Sequence, residues 1–172
     1  MTKINTKLIK LIKYYSLINH NLIYSNKAIN RYKKEGIYLS GDLGEDLKKL
    51  KASIINIKDC DLKKNATNLV FADGNPKAKI MIVGEGPGAN EDRECLPFVG
   101  RAGQLLDKML QAINLDRNNV YITNVVNYRP PENRKPNELE IARYLPYLTR
   151  HIEIINPKIL LLLGSTALNT II

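Results

Sequence analysis

A chain of 172 residues with 44% hydrophobic side chains is enough for one ordinary domain with a real core. With 26 Lys and Arg against 17 Asp and Glu, the net charge of +9 suits a polyanionic partner, nucleic acid before membrane. Two cysteines, Cys60 and Cys95, cannot build a disulfide framework, and neither a leader pattern nor an apolar run near the roughly 18 residues of a membrane span is found, so the chain reads as cytoplasmic.

Residues 1–34 carry eight Lys or Arg and no acid, with Ile4, Leu8, Leu11, Tyr15, Ile18 and Leu22 at helical spacing. This predicts a basic amphipathic helix. A turn at "SGD" and a second short helix from Asp42 follow, so residues 1–55 read as a helical N-terminal extension ahead of a domain over 56–172. From residue 78 strands and helices alternate. "AKIMIVGE" is an apolar strand, "AGQLLDKMLQAI" a helix, "NVYITNVV" a strand, "ELEIARYLPYLTRHIEII" a helix and "PKILLLLG" a third strand. Strands buried on both faces and joined by helices predict an α/β fold, three layers around a central parallel sheet. Ligands of such sheets bind beyond the carboxyl ends of the strands, which directs attention to the loops after Val83, Val126 and Leu163.

The first of these loops, "GEGPGANED", contains Gly84, Gly86 and Ala89 in a dinucleotide-like spacing. Pro87 and some ten polar residues before the next predicted helix argue against that use. "RPPENRKP", from Arg129, is too proline-rich for helix and predicts an extended segment.

Taken together, "GEGPGANED", "LPFVGRAGQLLDKML", "VYITNVVNYRPPENRKP" and "PKILLLLG" resemble, in order and spacing, the family 4 uracil-DNA glycosylases, the iron–sulfur branch of their superfamily. The resemblance runs from about Asn56 to the last residue. It implies an α/β/α fold on a four-stranded parallel sheet, of which three strands are visible. It also implies hydrolysis of the N-glycosidic bond of uracil in DNA, the first step of base excision repair. Gly84, Gly86, Pro87 and Gly88 then form the substrate loop, with the Gly86 backbone close to a base carbonyl. Phe98 stacks on the flipped base, and Asn124 pairs with the N3–H and O4 of uracil. Glu85 and Glu91 are the candidate catalytic acids. Arg101, Arg129, Arg134 and Ser165, the apparent cap of a last helix, face the DNA.

Two departures from the family pattern stand beside the match. Of the four cysteine positions that bind the family's cluster, only Cys60 remains; the others fall on Ile57, Tyr128 and the Arg143–Tyr144 pair, so no cluster is expected. The family's fourth strand and its histidine-bearing loop have no counterpart up to Ile172, and neither His20 nor His151 matches that motif. Three readings stay open on sequence: a glycosylase, with a separate polypeptide supplying the remaining part; a binding module with impaired chemistry; and a truncated gene product.

Overall fold

The computed structural model describes residues 41–172; the basic helix expected over 1–34, and His20 within it, lie outside the described residues. Helix α1 (Leu43–Ile55) starts where Asp42 accepts hydrogen bonds from the Gly44 and Glu45 amides. Such a cap satisfies donors that a first helical turn otherwise leaves without partners. A short helix α2 (Asp61–Asn65) leads to strand β1 (Asp73–Gly74). Strand β2 (Ile80–Gly84), helix α3 (Ala89–Glu94) and helix α4 (Arg101–Ala112) follow. Strand β3 (Val120–Asn124), helix α5 (Glu138–Ile155), strand β4 (Ile159–Leu162) and helix α6 (Ser165–Ile171) complete the described chain.

The sheet order is β1-β3-β2-β4. The β2–β3 and β2–β4 pairs are parallel, with Gly84 opposite Asn124 and Val83 opposite Leu162. Side chains alternate across a strand, so the two faces of β2 and β3 feed two cores. Ile82, Val120 and Ile122 pack with Leu106 and Leu110 of α4. Met81, Val83 and Tyr121 pack on the other face with Leu50 and Ile54 of α1 and Tyr144 and Leu148 of α5. This is the expected three-layer α/β/α arrangement.

Four details differ from the sequence reading. The sheet is mixed, because the two-residue β1 pairs antiparallel with β3 and brings the described strands to four. The polar stretch after β2 contains helix α3, whose N-cap amide, that of Gly88, donates to Glu91 Oε2 at 3.1 Å. The segment expected to stay extended holds a single 3₁₀ turn at Pro131–Asn133, with Glu132 and Asn133 at φ 54° and 57°. Ser165 does not cap α6: Gly164 holds the N-cap position and no side chain bonds there.

The described residues leave one edge of the sheet open at β4, where Ile159 and Leu161 are exposed, as are Leu105, Met109 and Ile113 on α4. An open edge beside apolar side chains favours association. No described helix is long and apolar enough to cross a membrane.

His151 is buried between layers, stacked on Phe71 at 4.7 Å and with its Nε2 2.7 Å from the Tyr121 hydroxyl. Burial pushes its pKa from 6.5 down to about 3, so the folded protein keeps it neutral. A depressed histidine contributes stability that is fully present above the unfolded pKa of 6.5 and is lost as the pH falls toward about 3. Unfolding free energies from urea titrations should therefore fall between pH 6.5 and 4.5, by up to about 1.4 kcal/mol per pH unit. His151→Gln should flatten that window. An equal slope in the variant would assign the acid lability to carboxylates.

Candidate active site

The carboxyl ends of β2, β3 and β4 open into a crevice of about 870 Å³, lined by Gly84, Glu85, Gly86, Phe98, Asn124 and Leu163 among others. At its floor two side chains converge on one backbone position. A Cβ added to Gly84 would lie 2.5 Å from Phe98 Cζ and 2.6 Å from Asn124 Oδ1. Only a residue without a side chain lets the ring and the amide close over the strand end.

Two asparagines near the end of β3 are used differently. Asn127 donates from its amide to the carbonyls of Val70 and Phe71, at 3.1 and 3.3 Å, and ties the chain before β1 to β3. Asn124 is just as buried, at 4% exposure, yet its amide bonds to no group among the described residues. Since no sealed polar side-chain atom lacks a partner among these residues, the Asn124 amide opens to the crevice. An amide placed this way can meet a ligand in the crevice, whereas the same amide sealed without a partner would cost about 1–3 kcal/mol.

Phe98 reaches its place through a backbone at φ 56°, the left-handed region, which costs a bulky residue on the order of 1–3 kcal/mol. Its carbonyl packs against Gly103 of α4, where a Cβ would come within 1.6 Å of the oxygen. The same carbonyl accepts a hydrogen bond from Arg117. Sequence reasoning passed over Arg117, since a loop arginine 19 residues from Phe98 carries no periodic signal.

The acids divide by their partners. Glu91 accepts from three backbone amides, Gly88 at 3.1 Å, Val99 at 3.0 Å and Gly100 at 2.7 Å, so its carboxylate clamps the two halves of the loop together. Asp92 is buried and takes the amides of Thr67 and Asn68, fastening the chain before β1. Glu85, half-buried at the end of β2, accepts a hydrogen bond from the Thr166 hydroxyl in the first turn of α6. Thr166 had no sequence signal beyond its neighbour Ser165.

Of the arginines expected to meet DNA, only Arg101, exposed at the start of α4, lines the crevice without an ion pair among the described residues. Arg134 forms a two-pronged bridge to Glu140 at 2.6 and 2.8 Å, and Arg129 donates to Asn133 at 2.7 Å. These two stiffen the turn at Pro131–Asn133. Ser165 is exposed, and Pro87 is buried beneath the loop.

The positions where the resemblance seeks cluster ligands hold a packed plug. Ile57, Cys60, Tyr128 and Tyr144 are buried in one core. The Cys60 Sγ lies 3.3 Å from the Tyr144 hydroxyl, and burial pushes both phenols upward in pKa. One thiol beside two phenols that burial keeps protonated does not make an iron–sulfur donor set, and Cys95 is exposed on the opening loop, outside this group. Among the described residues no three His, Cys, Asp or Glu side chains group around a metal position.

Comparison with known proteins agrees with this geometry. Residues 71–172 match the model of the "Uracil DNA glycosylase superfamily". Over 121 residues the chain is 53% identical to a type-4 uracil-DNA glycosylase of Sulfurisphaera tokodaii, covering 70% of this chain and 55% of that protein. It is 46% identical over 123 residues to the type-4 enzyme of Archaeoglobus fulgidus, covering 72% and 62%, and 48% identical over 119 residues to that of Pyrobaculum aerophilum, covering 69% and 61%. The chain therefore spans little more than half the length of these curated relatives. With the match covering both walls of the crevice, the chain belongs to the uracil DNA glycosylase superfamily.

Proposed function

We propose that this protein binds uracil flipped out of DNA and hydrolyses its N-glycosidic bond, in the cytoplasm, as a uracil-DNA glycosylase. The free, buried amide of Asn124 beside the Phe98 ring carries this reading. Uracil offers N3–H as donor and O4 as acceptor, and an amide held at its edge meets both. Cytosine reverses the pair, so an oriented asparagine rejects it. Phe98 supplies the apolar face that an extruded base requires. Cleavage places negative charge on the departing uracil and positive charge on the sugar. The Gly86 N–H, at the loop apex and without an acceptor among the described residues, serves as a donor to the base.

Glu85 is the better candidate to hold the attacking water, since its single hydroxyl partner leaves one carboxylate oxygen uncommitted. Glu91 acts by building the loop. Arg101 and the positive charge of the chain bind phosphates, which positions the strand without reading it. Further polypeptide, on the relatives' scale of length, belongs on the open β4 edge and the apolar face of α4.

Two outcomes check this proposal. Asn124→Ala should weaken binding of a deoxyuridine-containing single strand by about 1–3 kcal/mol, the worth of a two-point base contact, while leaving binding of the matching deoxycytidine strand unchanged. Equal losses on both strands would remove Asn124 from base recognition. The purified protein should also be colourless and carry well under one iron per chain, because a single thiolate cannot hold a cubane. Stoichiometric iron with visible absorbance would overturn the plug.

A further inference from the structure

We infer that Arg117 is a positioning residue for the crevice, holding Phe98 in the left-handed backbone conformation that turns its ring over Gly84. The inference deepens the uracil-binding reading, and rests on it for its functional consequence alone. Arg117 lies in the turn before β3, and its side chain is about three-quarters buried, at 24% exposure. All five of its N–H donors are spent. Nε donates to Asp107 Oδ1 at 2.9 Å, and Nη2 donates to Asp107 Oδ2 at 3.4 Å and to the Phe98 carbonyl. Nη1 donates to Asp73 Oδ2 at 2.7 Å and to the Pro97 carbonyl at 3.1 Å.

Each partner belongs to a different part of the fold. Asp73 is on β1, Asp107 is on α4, and the two carbonyls precede the loop that Glu91 clamps from its far side. The guanidinium thus joins sheet edge, helix and loop at a bulky residue whose left-handed backbone is costly to hold. A planar fork with five fixed donors does this where a lysine cannot. Gly103 keeps the space into which the Phe98 carbonyl turns. The carbonyl has a pocket on one side and a donor on the other, and reversing φ at Phe98 would forfeit both. With no N–H left over, Arg117 has nothing to offer a phosphate, which separates it from Arg101.

The chain contains two phenylalanines, Phe71 and Phe98, so the full-length protein labelled with 4-fluorophenylalanine yields two fluorine signals, assigned by Phe98→Leu. Arg117→Met should displace or broaden the Phe98 signal by more than its linewidth and leave that of Phe71 in place. In the same variant, the extra affinity for a short single strand carrying one deoxyuridine over its deoxycytidine counterpart should vanish, with deoxycytidine-strand affinity unchanged. A Phe98 signal that stays put in the folded variant would overturn the inference. If Arg117→Met loses both signals through unfolding, Asp107→Asn, which removes one anchor and keeps the arginine, decides by the same criterion. Should the unaltered protein show no deoxyuridine preference, the uracil reading fails. The Phe98 signal then still decides the role of Arg117.

Discussion

Gly84→Ala should abolish uracil discrimination while leaving a folded protein. The new methyl would stand 2.5 and 2.7 Å from two atoms of the Phe98 ring and 2.6 Å from the Asn124 amide oxygen, distances that real Cβ atoms do not tolerate. Gly84 also ends β2 in register with Asn124, and its carbonyl accepts the Val125 amide at 2.8 Å, so the strand end cannot retreat cheaply. The ring and the amide must move instead. Overpacking of this kind costs about 1–3 kcal/mol in stability, which a urea midpoint measures. Its effect on binding is larger relative to its cause, because a base contact depends on both groups keeping their places. The preference for a deoxyuridine strand over a deoxycytidine strand should fall to nothing. A variant that keeps the preference would mean that the base lies elsewhere in the crevice.

The second large effect concerns rate. Among the described residues the only histidine, His151, is buried against Tyr121 and Phe71 and held neutral, far from any role as a donor in the crevice. A preorganised donor aimed at a developing anion is worth roughly 2.7–4 kcal/mol, or about 10²–10³ in rate. The 172-residue polypeptide assayed by itself should therefore release uracil slowly. Single-stranded substrate should suffer least, U:G less than U:A, since a base already unpaired spares the cost of extrusion. Single-turnover assays with excess protein on the three substrates measure this order. Equal and rapid release from all three would show that the described crevice already contains a complete set of donors.

Much of the architecture was legible because burial on both faces writes long apolar runs, and β2, β3 and β4 fall where those runs are. Strand β1 was not, because two residues carry no period and Asp73–Gly74 reads as a turn. Helix α3 hid behind glycine, proline and acids, since Gly88 at its N-cap carries no side chain to signal a helix start. At the site, Asn124 and Phe98 entered through the family resemblance, and the structure brings both to the crevice. Glu91 was found but its use was not, since nothing local says that a carboxylate will be spent on the amides of residues 99 and 100. Arg129 and Arg134 read as phosphate contacts for the same reason: their partners, Asn133 and Glu140, emerge only once the turn between them has folded. Arg117 depends on three elements meeting, which no sequence window contains.

The substitutions at Ile57, Tyr128 and Tyr144 follow a related logic. A metal cluster would staple the segment before α2, the chain after β3, and helix α5 through bonds. Here the same three segments meet through buried side chains and one thiol–phenol contact. The layers around the crevice are therefore joined without asking the donor set for more than one thiolate.

The most direct test of the account is release of free uracil from a labelled single-stranded oligonucleotide, measured under single-turnover conditions for the unaltered chain and for Asn124→Ala. The account predicts slow but measurable release by the former and release about 5- to 150-fold slower by the latter, the kinetic equivalent of losing a two-point base contact. Release that is indifferent to Asn124, or an unaltered chain that neither binds nor releases uracil, would contradict it.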